Sequence, residues 1–180
     1  MKLLKPSIFL LLIITLSNIS YAQPKPYKAT VSQITALKKQ ADEMAAAMMK
    51  QDYQKMAYYT VPKIVTMAGG KEKMAEKVRQ SMIEMQNHGV AFKSVSVGDI
   101  KDIYRSKGDL YSIVPDIIQL SANGTVITKG SYLLAVSHDN GLRWYFVDTA
   151  PFSKGQSVKA MFPTFPDGLV IPQAGNGPGM

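Results

Sequence analysis

The 180-residue chain contains no cysteine, two histidines and one tryptophan. Without thiols there are no disulfide staples, no thiol catalysis, no thiolate-bound zinc and no iron–sulfur cluster. His88 and His138 have no serine or carboxylate at a spacing that builds a hydrolytic triad, and two imidazoles are too few for a zinc site. They read as surface residues, His88 at a helix end where positive charge suits the dipole and His138 beside a turn. A phosphate-cradling loop is also lacking: Gly69-Gly70-Lys71 has neither the four-residue spacing between its glycines nor a Ser/Thr after the lysine. No metal and no cofactor is expected. Long apolar runs are scarce too. The run Ile8 to Leu16, broken only by Thr15, is about half the roughly 20 residues a bilayer-spanning helix requires.

That short run has a meaning in its place. Lys2 and Lys5 precede it, and Ser20-Tyr21-Ala22 sets small residues at −3 and −1 of a cut before Gln23. Positive start, apolar centre and small-residue end are the three parts of a secretory signal peptide, here residues 1–22. With no cysteine after the run, a lipid-modified terminus is excluded. The expectation is an exported protein, periplasmic or secreted, with no membrane span once the signal is removed. The formal charge of +8 falls to +6 when Lys2 and Lys5 leave. The remaining basic residues are spread from Lys25 to Lys159 without an aromatic-interleaved cluster, so nucleic-acid binding is not expected.

Residues 23–29, with Pro24 and Pro26, read as a flexible leader. Thr30 or Ser32 then caps a helix whose apolar face is Val31, Ile34, Leu37, Ala41, Met44 and Met48. Asp52 caps a shorter helix that ends before Pro62, and Lys63 to Met67 adds a turn. A third main helix runs from Lys71 to Asn87 with the stripe Met74, Val78, Met82 and Met85. From Val90 the texture becomes β-branched and alternating. Strands are expected over Asp109–Leu120, Thr125–Ser137 and Leu142–Thr149, with a turn at Asn123-Gly124. Pro115 inside the first of these predicts an edge position or a bulge. The order, three helices followed by about four antiparallel strands, is α+β. After Ala150 the chain becomes rich in Pro and Gly. Residues 152–180 form an extension expected to pack back through Phe162, Phe165 and Ile171 and to be disordered from about 172.

This order resembles the nuclear-transport-factor-2-like (cystatin-like) cone, in which three helices lie in the hollow of a curved antiparallel sheet. The residues that carry the resemblance are Asp52 to Pro62, Gly69 to Met74 and Trp144 to Asp148, which are similar to segments of exported small bacterial domains of that superfamily. The resemblance implies a domain over residues 30–151, an apolar pocket at the open end of the cone and a sheet face that supports a homodimer. It is silent on activity, because the fold hosts both enzymes and inert binding modules.

Two groups of side chains stand out. Asp148, ending the last strand amid apolar residues, together with Tyr58 or Tyr59, would give the acid and phenol of an isomerase, cyclase or dehydratase. The same residues with Met82, Trp144 and Phe146 are the candidates to line a ligand pocket. The second group is Ser137-His138-Asp139-Asn140-Gly141-Leu142-Arg143-Trp144, which fits S-x-D-x-G-x-x-W and resembles the Asp-box of exported β-proteins. In that pattern Asp accepts backbone N–H bonds, Gly supplies positive φ and Trp packs on the turn, so Ser137, Asp139, Gly141 and Trp144 predict a rigid hairpin. Eight of the eleven methionines lie between Met44 and Met85, mostly on helix stripes, where Met fills core. The leading expectation is a non-catalytic exported domain that binds a small apolar ligand or a protein partner. The enzyme is the alternative.

Overall fold

The computed structural model describes residues 24–153 and 157–173. The segment expected to be a signal peptide, and most of the tail expected to be disordered, lie outside the described residues. Four helices come first: α1 (Val31–Met49), α2 (Tyr53–Tyr59), α3 (Pro62–Met67) and α4 (Lys71–Asn87). Strands follow: β1 (Val90–Val97), β2 (Tyr104–Ser106), β3 (Asp109–Ala122), β4 (Thr125–Ser137) and β5 (Tyr145–Asp148). Two single-turn helices, α5 (Ala150–Ser153) and α6 (Val158–Met161), close the described chain. The class is α+β, with the helices on the N-terminal side of a strongly curled antiparallel half-barrel. The turn Pro62–Met67 is a separate helix, which makes four N-terminal helices rather than three. No helix among the described residues is long and apolar enough to cross a membrane.

Local chemistry sets the boundaries. Thr30 forms a capping box with Gln33 at the start of α1, its hydroxyl accepting the Gln33 N–H while the Gln33 side chain accepts the Thr30 N–H. Asp52 caps α2 by accepting the Lys55 N–H at 2.9 Å. The sheet runs β1-β3-β4-β5, with β2 pairing on β3 beyond the end of β1. Asn123 and Gly124, both at positive φ, make the two-residue turn that sets β3 against β4 from Ala122↔Thr125 to Leu110↔Ser137. Pro115 corrects an expectation. It lies in the central strand, where β1 pairing stops at Val97↔Asp116 and β2 pairing has not begun. Gly98 donates to its carbonyl at 2.8 Å, and no neighbour needs the N–H that proline lacks.

Both sheet faces are covered. On the helix side Leu37, Ala41, Tyr59, Leu110, Val114, Ala135, Trp144 and Phe146 form one buried cluster. The leader joins it: Tyr27 and Ala29 pack there, and the Tyr27 N–H donates to the Ile103 carbonyl at 2.6 Å, so the segment expected to be flexible is pinned at that point. On the outer face Tyr111, Leu134 and Val136 pack with Val61, Phe162 and Phe165. The C-terminal segment thus forms a second cover. The rings of Tyr111 and Phe165 meet edge-on at 5.6 Å, and the Tyr111 hydroxyl bonds to Thr164 Oγ1 at 2.5 Å.

Candidate functional site

The sequence candidates do not converge on one cavity. Trp144 and Phe146 are fully buried in the helix-side cluster. Tyr59 is buried as well, and its hydroxyl donates to Glu43 on α1. That bond holds the Glu43 carboxyl below the usual carboxylate range. Burial first, then the Glu43 bond, pushes the phenol up to about 12. Met82 borders only a small cleft of about 70 Å³ with Met48, Met85 and Phe92. Asp148 is exposed, and its carboxylate accepts the Ala150 N–H at 2.8 Å, a turn-capping task. Tyr58 is 42% exposed at the side of the molecule. The acid and phenols singled out for catalysis are therefore engaged separately.

The acid that the fold does bury is Asp116. It follows Pro115 on the helix-side face of β3 and is 5% exposed. Burial, then the nearby charge of Asp148, raises its pKa from 3.8 to about 6 against the opposing bond from Ser131. Its Oδ1 has no hydrogen-bond partner among the described residues. The sequence signal was present, an aspartate inside Ile113-Val114-Pro115-Asp116-Ile117-Ile118, and it is more strongly apolar in context than that of Asp148.

The turn motif is dense with hydrogen bonds. Ser137 Oγ donates to Asp139 Oδ1 and accepts the Gly141 N–H, each at 2.8 Å. Asp139 Oδ1 also accepts the Arg143 N–H at 2.8 Å. The Trp144 indole donates to the Gly141 carbonyl at 3.1 Å. From α1, Gln33 donates to the Asn140 carbonyl, and Gln40 both donates to Leu142 and accepts from the Trp144 backbone. Gly141 sits at φ 86°, where a Cβ would lie 2.8 Å from the Gln33 side chain, so glycine is required twice over.

A wider recess lies on the other side of the sheet. A groove of about 670 Å³ opens between the outer face and the C-terminal segment. Ile113, Pro115, Ile117 and Tyr132 form its floor. Leu169, Val170 and Pro172 form one wall, and Asp99, Lys101, Asp102 and Tyr104 form a polar rim. Sequence reading missed it because one wall comes from a tail that carries no strand or helix periodicity. No family model, no curated protein and no solved structure matches the chain.

Proposed function

We propose that this is an exported, non-catalytic domain that binds a small apolar ligand in the groove on the outer face of the sheet. The groove carries the reading: about 670 Å³ lined mainly by apolar side chains, with a few polar groups at one rim, is the form of a small-molecule site. Export rests on the signal pattern of residues 1–22, and the relation to nuclear-transport-factor-2-like domains rests on element order and on the segments quoted above. The helix-side hollow, where such domains usually hold ligand, is here occupied by Tyr59, Trp144 and Phe146. The homodimer implied by the resemblance has less open sheet to use, because Phe162 and Phe165 occupy part of the outer face. The enzyme reading has no assembled acid–phenol pair behind it.

A titration with the neutral dye Nile red tests the proposal. The expected result is saturable binding with a blue-shifted emission, lost on Ile117→Glu while the circular dichroism spectrum is unchanged. Absence of binding, or equal binding by Ile117→Glu, overturns it.

A further inference from the structure

The turn motif plays no part in the outer groove, yet it fixes Arg143, and Arg143 faces a different recess. The arginine's guanidinium carbon lies 3.8 Å from the centre of the Tyr58 ring and 5.3 Å from that of Tyr145. Lys71, the first residue of α4, places its Nζ 5.6 Å from the same Tyr58 ring. With Pro62 and Val65 of α3 these residues line a cleft of about 280 Å³ that shares no lining residue with the outer groove. We propose that Arg143, Lys71 and Tyr58 form a binding site for a small organic carboxylate with a flat apolar body.

Charge is the first argument. Neither Arg143 nor Lys71 has a carboxylate partner among the described residues, whose ion pairs are Lys38–Asp42, Lys55–Glu43, Arg79–Glu76, His138–Asp109 and Lys159–Asp167. Of the acids on adjoining elements, Glu43 takes the Tyr59 hydroxyl and Lys55, and Glu72 borders a separate recess with Arg79. Two cations on one aromatic ring, without an ion-pair partner among the described residues, make a place that favours an anion. Shape agrees with charge. A guanidinium is a planar fork that meets a carboxylate through two parallel bonds, and the ammonium adds a point charge. Arg143 Nε is buried and has no acceptor among the described residues, so any ligand meets the guanidinium at its terminal nitrogens. The two threonine hydroxyls of the cleft donate their hydrogen bonds to the Met56 and Pro62 carbonyls, so recognition of the anion falls to the cations. A phosphate, with more oxygens to satisfy, finds too few donors. The remaining lining is Ala57, Tyr58, Tyr145, Pro62 and Val65, which suits an arene.

Preorganisation is the third argument. Asp139 holds the Arg143 backbone, and the parallel bridge Thr60↔Phe146, with the Val61 N–H donating to the Phe146 carbonyl at 3.3 Å, holds the end of α2 beside β5. The backbones on the two sides of the site are therefore set before any ligand arrives, which lowers the ordering that binding must offset.

Calorimetric titration of the full chain with benzoate, and separately with inorganic phosphate, at low salt tests the site. Benzoate is expected to bind about tenfold or more tightly than phosphate and to weaken as salt rises. Arg143→Gln should reduce benzoate affinity about tenfold or more, with Arg143→Lys falling between it and the native chain. If Arg143→Gln fails to fold, Lys71→Gln at the exposed end of α4 carries the test, with about threefold weakening or more expected. No benzoate binding by the native chain, unchanged affinity in the variants, or phosphate binding as tightly as benzoate overturns the proposal. Ile117→Glu should leave benzoate binding intact, so this site and the outer groove stand or fall separately.

Discussion

One carboxylate oxygen of Asp139 receives two donors at 2.8 Å, the Ser137 hydroxyl and the Arg143 backbone N–H. The turn is thereby fixed from its strand side and from the residue it delivers. Asp139→Ala removes both bonds and leaves the Arg143 N–H without its acceptor. Hydrogen bonds to a charged group contribute about 1.5–3 kcal/mol, so urea denaturation should show a loss in that range. Asp139→Asn, which keeps an acceptor oxygen, should retain most of it.

Asp116 makes stability depend on pH in an uncommon direction for an acid. Its folded pKa is about 6 against an ordinary 3.8. The folded chain therefore binds the extra proton between those values, and stability falls as pH rises from about 4 through about 6. A shift of some two units corresponds to about 3 kcal/mol. Asp116→Asn should melt higher than the native chain at pH 7.5, and the gap should close towards pH 4. Thermal melts across that range read the result.

The Tyr59–Glu43 bond acts with the opposite sign. Because Tyr59 holds the Glu43 carboxyl low, its contribution is present above 4.5 and is lost as pH falls. Tyr59→Phe should flatten the acid limb of the stability–pH curve below pH 4.5. A second readout is the carboxyl carbon of Glu43, whose NMR titration midpoint should move up in the variant.

Phe162 tests the second cover. It is 4% exposed and meets Tyr111 and Phe152 edge-on at 6.3 and 6.2 Å. Truncating a buried phenylalanine costs about 3–5 kcal/mol. Phe162→Ala should show a loss of that size in equilibrium denaturation. If the tail merely rests on the surface, the change will be under about 1 kcal/mol.

The architecture was legible where local chemistry governs. Thr30, Asp52 and Asn123-Gly124 are caps and a turn whose side chains act within a few residues, and the bounds of β4 follow from them. Pro115 was misplaced because the gap between β1 and β2 is a property of the pairing, not of β3. The last strand is shorter than its apolar run, Tyr145–Asp148 rather than Leu142–Thr149, because the turn motif holds residues 139–144. Site residues were less legible. Tyr58 and Arg143 are brought together by the seating of α2 against β5, through the bridge of Thr60 to Phe146, and no spacing rule links positions so distant. Asp116 could have been read, since an acid inside a β-branched run is either exposed on an edge or buried at a penalty.

The second cover comes last in the chain. Synthesis delivers β3 and β4 before Phe162 and Phe165, so for an interval Tyr111, Leu134 and Val136 line a strand face covered in part by Val61 and without its later aromatic cover. Incomplete sheets with open apolar faces are the species that aggregate during folding. A nascent chain stopped short of residue 162 would carry the whole sheet and the full hazard, and the final dozen described residues shut that window.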